Sequence, residues 1–514
     1  MSLAVQSHVL LVLALLMLSL PACSAREVPQ PLEKGDAFQF AVDAGKVSRP
    51  VNRRVMGFSF HNMWDYTPLY SLSTGEWIVN EHATKAIQEL KVPFGRTLWV
   101  DPASAGGAYF GVKGGIDRAA EMCRHFGIPQ EQFVLEVEAQ EQARALSPEA
   151  WAEAVRYSHD KGYGFRLWEV CNEPYNVWGS PRSEAWTAEP YKAHVKAVYQ
   201  AVKAAQPDAQ IGFAAGLSPF NQWGATQTED PLISELAGYY DFIAPHFYCH
   251  LQNLDQLPLE RITLGGNAWV LNSYVVKTRE LLDKYNPGRH IEILDTEWAM
   301  HGYNSGDDSG ADTANRNGNI AGTLHRAVRL IYYLNEGLVE AAAQFMAVGP
   351  RESPGFTIVP LNDERLFTPY YLNYYLSRYV GDEVVDVSGT CPYYEKAGIP
   401  SDYTYTGAVY DVSMPKAPVL ATRSADGKKL YLVIANGTAT ESLPCHVNLK
   451  GFRAGAAEGK RLSQSSIDAP ALVERESDVM SILPVQVSDG GQAIEFESAP
   501  HSVSFISLSA AITP

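Results

Sequence analysis

Leu167-Trp-Glu-Val-Cys-Asn-Glu-Pro-Tyr-Asn-Val-Trp178 continues an apolar, β-branched run from Phe165 and stops it abruptly at Asn172-Glu173-Pro174. Such a run, followed at once by a polar, proline-broken segment flanked by aromatic residues, reads as a buried strand ending in a loop. The strand thus delivers a carboxylate, Glu173, to its end. Further along, Ile291-Glu-Ile-Leu-Asp-Thr-Glu-Trp298 repeats the pattern: a strand-like run ends in Glu297 beside Trp298.

Outward from these two stretches, strands and helices alternate. Strands are expected near 55–60, 92–100, 133–139, 165–170, 211–215, 241–248, 291–298 and 339–348, the first ending at His61. Helical periodicity marks 81–91, 115–126, 148–161, 191–205, 273–285 and 314–335. Ser147-Pro148-Glu149 is a helix start, with Ser as cap and Pro in the first turn. Open doubly wound sheets also alternate in this way, but they rarely reach eight parallel strands with polar residues at several carboxyl ends and no glycine-rich phosphate loop. The expected fold is α/β, a (β/α)8 TIM barrel over 50–380. After about residue 380 the texture changes to short alternating runs between Gly, Asn, Asp and Pro turns, such as 430–435, 446–449 and 502–508. That pattern predicts a C-terminal β-sandwich domain over 381–514. The segment 26–49 reads as a tether followed by a strand, 38–43, that joins the sandwich.

A chain of 514 residues exceeds what one hydrophobic core usually supports, in keeping with two domains. The net charge of -17 argues against nucleic-acid or anionic-membrane partners, because phosphates would be repelled over most of the surface. Ten Trp and 27 Tyr suit stacking against sugar rings, and equally suit a Tyr-rich core. Residues 9–20 form an apolar run too short to span a bilayer comfortably, ahead of Pro21-Ala-Cys-Ser-Ala25; residues 1–25 read as a secretory signal peptide. Two forms are open: cleavage after Ala25, or the lipoprotein form, in which Cys23 is acylated as an outer-membrane lipid anchor. The expected location is outside the cytoplasm: periplasmic, anchored to the outer membrane, or secreted. Of the five remaining cysteines, Cys123, Cys171, Cys249, Cys391 and Cys445, at least one is unpaired. Cys171 and Cys249 are read as buried thiols, with a bridge between them as the alternative.

Two carboxylates at the carboxyl ends of two parallel strands are what glycoside hydrolysis requires, one as proton donor and one as nucleophile or base. A proton donor near neutral pH needs a raised pKa, which for Glu173 calls for an apolar surround such as Trp168 or Trp178 and a nearby second carboxylate. Glu297 must stay ionised to attack an anomeric carbon. Glu169 and Asp295, one period from the terminal positions, are read as fillers of inward positions on their strands. Glu136, Glu138 and Glu141, on and after the third strand, lack neighbouring His for a metal cluster and read as a substrate-contacting or solvated acidic strand end. The run 301–312 lacks the terminal Glu of a Ca loop and reads as a mobile loop over the site.

With Asn172-Glu173 on the fourth strand and Glu297 on the seventh, the chain resembles clan A of the glycoside hydrolases. Within the clan it looks most like family 51, the α-L-arabinofuranosidase family, and secondarily like family 39, which includes β-xylosidases. WEVCNEP, IAPHFY, ILDTEW, LYLVIANGT and APHSVSFISL carry the resemblance. It departs from family 51 after Arg96, where Thr-Leu-Trp-Val-Asp-Pro replaces a glycine-rich segment. The resemblance implies a retaining hydrolase acting on an oligo- or polysaccharide without metal or cofactor. It implies Glu173 as acid/base and Glu297 as nucleophile, with Arg96 and Tyr248 donating hydrogen bonds to Glu297. Asn172 would bond the sugar 2-hydroxyl, His246 would orient these groups, and Trp298 and Gln344 would line the sugar pocket, with His61 and Trp178 further substrate contacts. A β-glycosidase or endo-glycanase of the same clan, and a non-catalytic carbohydrate-binding protein, are the alternatives.

Overall fold

The computed structural model describes residues 31–60, 70–71, 76–77, 80–97, 111–138, 141–175, 185–214, 223, 229–303, 314–351, 354–361, 363–400 and 409–511. Eight short parallel strands close into a barrel: β1 (Gly57–Ser59), β2 (Gly95–Thr97), β3 (Phe133–Leu135), β4 (Leu167–Val170), β5 (Gln210–Phe213), β6 (Phe242–Ile243), β7 (Glu292–Trp298) and β8 (Ala341–Phe345). Each strand pairs with the next in sequence, and β8 closes on β1 through Ala343 opposite Gly57. This is the TIM-barrel order, in which carboxyl-terminal strand ends collect on one face.

Alternation along the strands decides which side chains enter the barrel. Phe94, Val134, Leu167, Phe242, Leu294, Ala341 and Ala343 pack together as an inner apolar layer. Their bulk leaves no room at two strand positions. A Cβ on Gly57 would lie 2.5 Å from the carbonyl of Phe94, and one on Gly212 would enter the Phe242 ring. Two residues further along several strands, the inward positions become polar, and the site begins there.

Helices cover the barrel. Ser147 caps the helix Pro148–Asp160 as expected, accepting from the N–H of Ala150 at 3.2 Å with Pro148 in the first turn. The helical run ahead of β7 starts earlier than its periodicity suggested, extending from Arg261 through two π turns to Tyr285. After β8 the helix Thr368–Tyr379 went unpredicted, because its five Tyr and its Pro obscure an amphipathic stripe. The helix Ile320–Glu336 is buried over nearly its whole length. Such all-round burial needs cover on both sides: Tyr333 faces β7 through Asp295 at 2.9 Å, while Asn335 donates to the carbonyl of Val419 in the second domain at 2.8 Å.

That second domain is a β-sandwich built on one continuous hydrogen-bonded path. It includes Ala454–Ser463, Ser502–Ala510, Lys429–Asn436, Val419–Arg423, Glu383–Cys391, Phe38–Pro50, Leu443–Lys450 and Ala493–Ser498. Phe38–Pro50 lies centrally, antiparallel to Glu383–Cys391 and parallel to Leu443–Lys450. Its alternate residues Phe38, Phe40 and Val42 enter a core with Val419, Leu432, Val447 and Ile506. Cys123, Cys171, Cys249, Cys391 and Cys445 are all buried thiols outside any disulfide, so the bridge between Cys171 and Cys249 is not formed. The Asn-Gly-Thr triplet at 436–438 is buried, with the Asn436 amide donating to the carbonyls of Glu441 and Ser498 at 2.9 and 3.0 Å.

Candidate active site

Arg96, inward on β2 and fully buried, is the centre of the polar layer. Its Nε and Nη2 donate to the two oxygens of Glu169 at 3.1 Å each, and Nη2 also donates to Oδ1 of Asn172 at 2.7 Å. Nη1 donates to Oε1 of Glu297, and Glu136 lies 3.6 Å away. One guanidinium therefore ties β2, β3, β4 and β7 together. Burial opposes its charge, but Glu169, Glu297 and Glu136 outweigh it and raise its pKa further. Burial would raise the Glu169 carboxyl too, yet Arg96 and His246 hold it below the ordinary value. Glu136 goes the other way: burial pushes it well up despite Arg96, with Glu169 adding repulsion.

The catalytic candidates sit directly above. Glu173 and Glu297 are 4% and 6% exposed, so both are nearly enclosed yet reach the barrel mouth. His246 Nδ1 lies 3.0 Å from Oε1 of Glu173 and 3.9 Å from Oε2 of Glu297, and Nε2 lies 3.0 Å from the Thr296 hydroxyl. Tyr248 donates its hydroxyl to Oε2 of Glu297 at 2.9 Å. Burial alone would lower the His246 pKa, but Glu297, then Glu169 and Glu173, push it up to about 10. The ring is an imidazolium at neutral pH, with both N–H groups donating. Cys171, Glu173 and His246 have φ of 63°, 39° and 53°, a region non-glycine residues avoid at about 1–3 kcal/mol each. The chain bends sharply at the ends of β4 and β6 to aim Glu173 and His246 into the mouth.

Ligating atoms of Glu173, His246 and Glu297 all lie within 4.8 Å of one another, a spacing that would suit a cation. The three groups are already engaged without one: His246 bonds Glu173 and Thr296, and Glu297 accepts from Arg96 and Tyr248.

The structure brings together Arg96, Asn172, Glu173, His246, Tyr248 and Glu297. It places other expected residues elsewhere. Gln344 lies between inward Ala343 and Phe345, so alternation turns it out of the barrel, where its amide donates to Asn373 of Thr368–Tyr379 at 2.7 Å. Phe345, edge-on to Phe356 at 4.9 Å, is the β8 side chain near Tyr248. Trp298, opposite Gln344 in register, also faces the helices, against Tyr333 and Arg329. Trp168 packs into the outer core and is not the apolar wall expected beside Glu173. Asp295 is not an inward filler: its carboxylate accepts from Tyr333 and from the N–H of Phe247. Glu136 and Glu138 are buried rather than solvated; Glu136 accepts from the N–H of Asn172 at 2.8 Å, and Glu138 from Trp151 at 2.9 Å. His61, Trp178 and residues 304–312 of the run 301–312 lie outside the described residues, while 301–303 are not loop but part of the strand Met300–Tyr303. Thr296 and Phe345 were missed; strand alternation forward from Leu294 and along 341–345 was the available signal.

The barrel with an attached sandwich is an architecture that solved glycoside hydrolases share. The α-L-arabinofuranosidase from Thermotoga maritima, solved with arabinose, superposes with a TM-score of 0.70 at 16% identity, over 92% of this chain and all of that one. A family 51 α-L-arabinofuranosidase from Bifidobacterium longum gives 0.67 at 13%, and a monomeric β-xylosidase from Caulobacter crescentus 0.59 at 14%, each over 92% of this chain and all of the other. The fold is thus that of the family 51 arabinofuranosidases, shared with related hydrolases. No family model and no curated protein matches the sequence.

Proposed function

We propose that the protein is a retaining glycoside hydrolase of the α-L-arabinofuranosidase type, with Glu173 as acid/base and Glu297 as nucleophile. The observation that carries this reading is the approach of the two carboxylates, an oxygen of each lying within 4.8 Å of the other. Retaining enzymes hold their carboxyl groups about 5–5.5 Å apart, whereas inverting enzymes leave about 6.5–9.5 Å for a water between them.

The hydrogen bonds fit the two roles. Arg96 and Tyr248 donate to different oxygens of Glu297, stabilising its charge until it attacks the anomeric carbon. Arg96 and His246 supply two positive charges, which Glu169 and Glu297 neutralise; Glu173 then fits as the protonated partner. His246 holds the Glu173 carboxyl through its Oε1, fixing the group that gives a proton to the leaving oxygen. In the first step the bond from Glu297 to the anomeric carbon forms as the glycosidic bond breaks, and the departing oxygen takes the proton of Glu173. In the second, Glu173 removes a proton from water, whose oxygen displaces Glu297. Asn172, oriented by Arg96, lies next to Glu173 to bond the sugar 2-hydroxyl, a contact that tightens in the transition state. The apolar leader and Cys23 support an exported enzyme with a lipid anchor.

The test is a panel of aryl glycosides: α-L-arabinofuranoside, β-D-xyloside, β-D-glucoside and β-D-galactoside. Fastest turnover of the first is the expected result. Preference for a pyranoside would leave the mechanism and change the substrate, whereas sugar binding without turnover of any member would overturn the enzyme reading in favour of a binding protein.

A further inference from the structure

Between Ala244 and Tyr248 the chain leaves the barrel ladder. β6 ends at Ile243, and regular pairing resumes only where Cys249–Gln252 runs beside Met300–Tyr303. His246 and Tyr248, the partners of Glu173 and Glu297, both lie in this break, and His246 has positive φ. Buried backbone outside a ladder needs other hydrogen-bond partners. At Phe247 both come from ionisable, fully buried side chains behind the barrel wall. Asp295 Oδ1 accepts from the N–H of Phe247 at 2.8 Å, and Arg329 Nη1 donates to its carbonyl at 3.1 Å.

Each holder is itself held. Tyr333 donates to the other oxygen of Asp295 at 2.9 Å. Arg329 donates from Nε to Oδ1 of Asn267 at 2.7 Å and lies over the Trp298 ring, 5.5 Å from its centroid. Asn267 is fixed in turn by donating to the carbonyls of Thr263 and His325 at 2.7 and 2.9 Å. The network spends a buried carboxyl group and a buried guanidinium on a single peptide unit, and the hydrogen bonds that build it end on residues other than Glu173 and Glu297.

We infer that Asp295 and Arg329 are positioning residues, which clamp the Phe247 peptide unit and thereby set His246 against Glu173 and Tyr248 against Glu297 together. The catalytic part of this inference rests on the proposed function; the clamp itself does not. A shift of about 1 Å at such a site costs on the order of 10²-fold in rate, and here one shift disturbs both carboxylates.

The experiment compares the full chain with Asp295→Ala, Asp295→Asn and Arg329→Lys, by hydrogen exchange and by kinetics on the best aryl glycoside of the panel. In Asp295→Ala the peptide covering 242–249 should exchange about tenfold faster while peptides from the sandwich stay unchanged, the mark of local opening. kcat should fall about 10²-fold, with KM changed far less. Asp295→Asn keeps an acceptor for the Phe247 N–H and should recover most of both. Arg329→Lys keeps the charge but cannot serve Asn267 and Phe247 together; it should reproduce the Ala pattern and serves if Asp295→Ala does not fold. Unchanged exchange at 242–249, or faster exchange with unaltered kcat, would overturn the inference. An inactive wild type would overturn the proposed function instead, and the exchange comparison would still decide the clamp.

Discussion

His246 donates from Nδ1 to Oε1 of Glu173 at 3.0 Å. The same ring reaches Thr296 through Nε2 and has Glu169 and Glu297 within 4 Å, so these two carboxylates share its charge. Its folded pKa of about 10 stands above the ordinary 6.5. For a cation with a raised folded value, the stabilisation is fully present below about pH 6.5 and is lost as pH rises through about 10. The thermal midpoint should therefore decline across that window, and His246→Gln should show a shallower decline. Parallel midpoint curves for the two proteins would show that the ring carries no such charge.

Much of this was legible in the sequence, for one physical reason. A barrel delivers its chemistry from strand ends, and a strand end is an apolar run that stops at a polar residue. That signal marked Asn172, Glu173 and Glu297, whereas His246 and Tyr248 entered through the resemblance to the clan. Parity within a strand was harder to read. Because alternate side chains face opposite ways, Gln344 and Trp298, each beside an inward residue, turned out to face the helices. Asp295 misled similarly, since β7 has an irregularity between Asp295 and Trp298 that breaks the simple count. The burial of Glu136 and Glu138 was not legible at all. It depends on Arg96, Trp151 and His194, brought in from other elements.

Arg96 should be the costliest single residue to remove. Arg96→Met leaves Glu136, Glu169 and Glu297 without their shared cation, and breaking a buried ion pair on one side costs about 3–5 kcal/mol. Adding Glu169→Gln removes one of the stranded charges, so the double variant should be more stable than the sum of the two single losses implies. Denaturant unfolding of the four proteins measures this, and strict additivity would mean that Arg96 and Glu169 do not act as a pair.

The amino terminus offers a separate check. With Cys23 acylated, the mature chain should begin at that residue and carry the mass of its lipid chains, two of which suffice for stable membrane attachment. Mass spectrometry of protein purified from membranes reads this directly, and Cys23→Ala should release the enzyme to the soluble fraction. An unmodified chain beginning at Arg26 would instead mean simple cleavage after Ala25.

The last prediction separates the two glutamates by role. In a double displacement an activated aryl leaving group departs without protonation, whereas the nucleophile is needed in every turnover. Glu173→Ala should still be glycosylated by activated substrates, fail on natural glycosides, and recover turnover with added azide, which attacks the intermediate without a general base. Glu297→Ala should lose about 10⁴-fold or more on both kinds of substrate, equivalent to roughly 5.5 kcal/mol of transition-state stabilisation. Azide can enter the space left by the Glu297 carboxylate, where Arg96 and Tyr248 remain to receive an anion. It would then attack from the face opposite the leaving group and give a glycosyl azide of inverted configuration. From Glu173→Ala the azide product should keep the substrate's configuration, because two inversions precede it. The roles would have to be exchanged if the two stereochemical outcomes were found the other way round, and the double displacement abandoned if Glu173→Ala were equally inactive on both substrate classes and indifferent to azide.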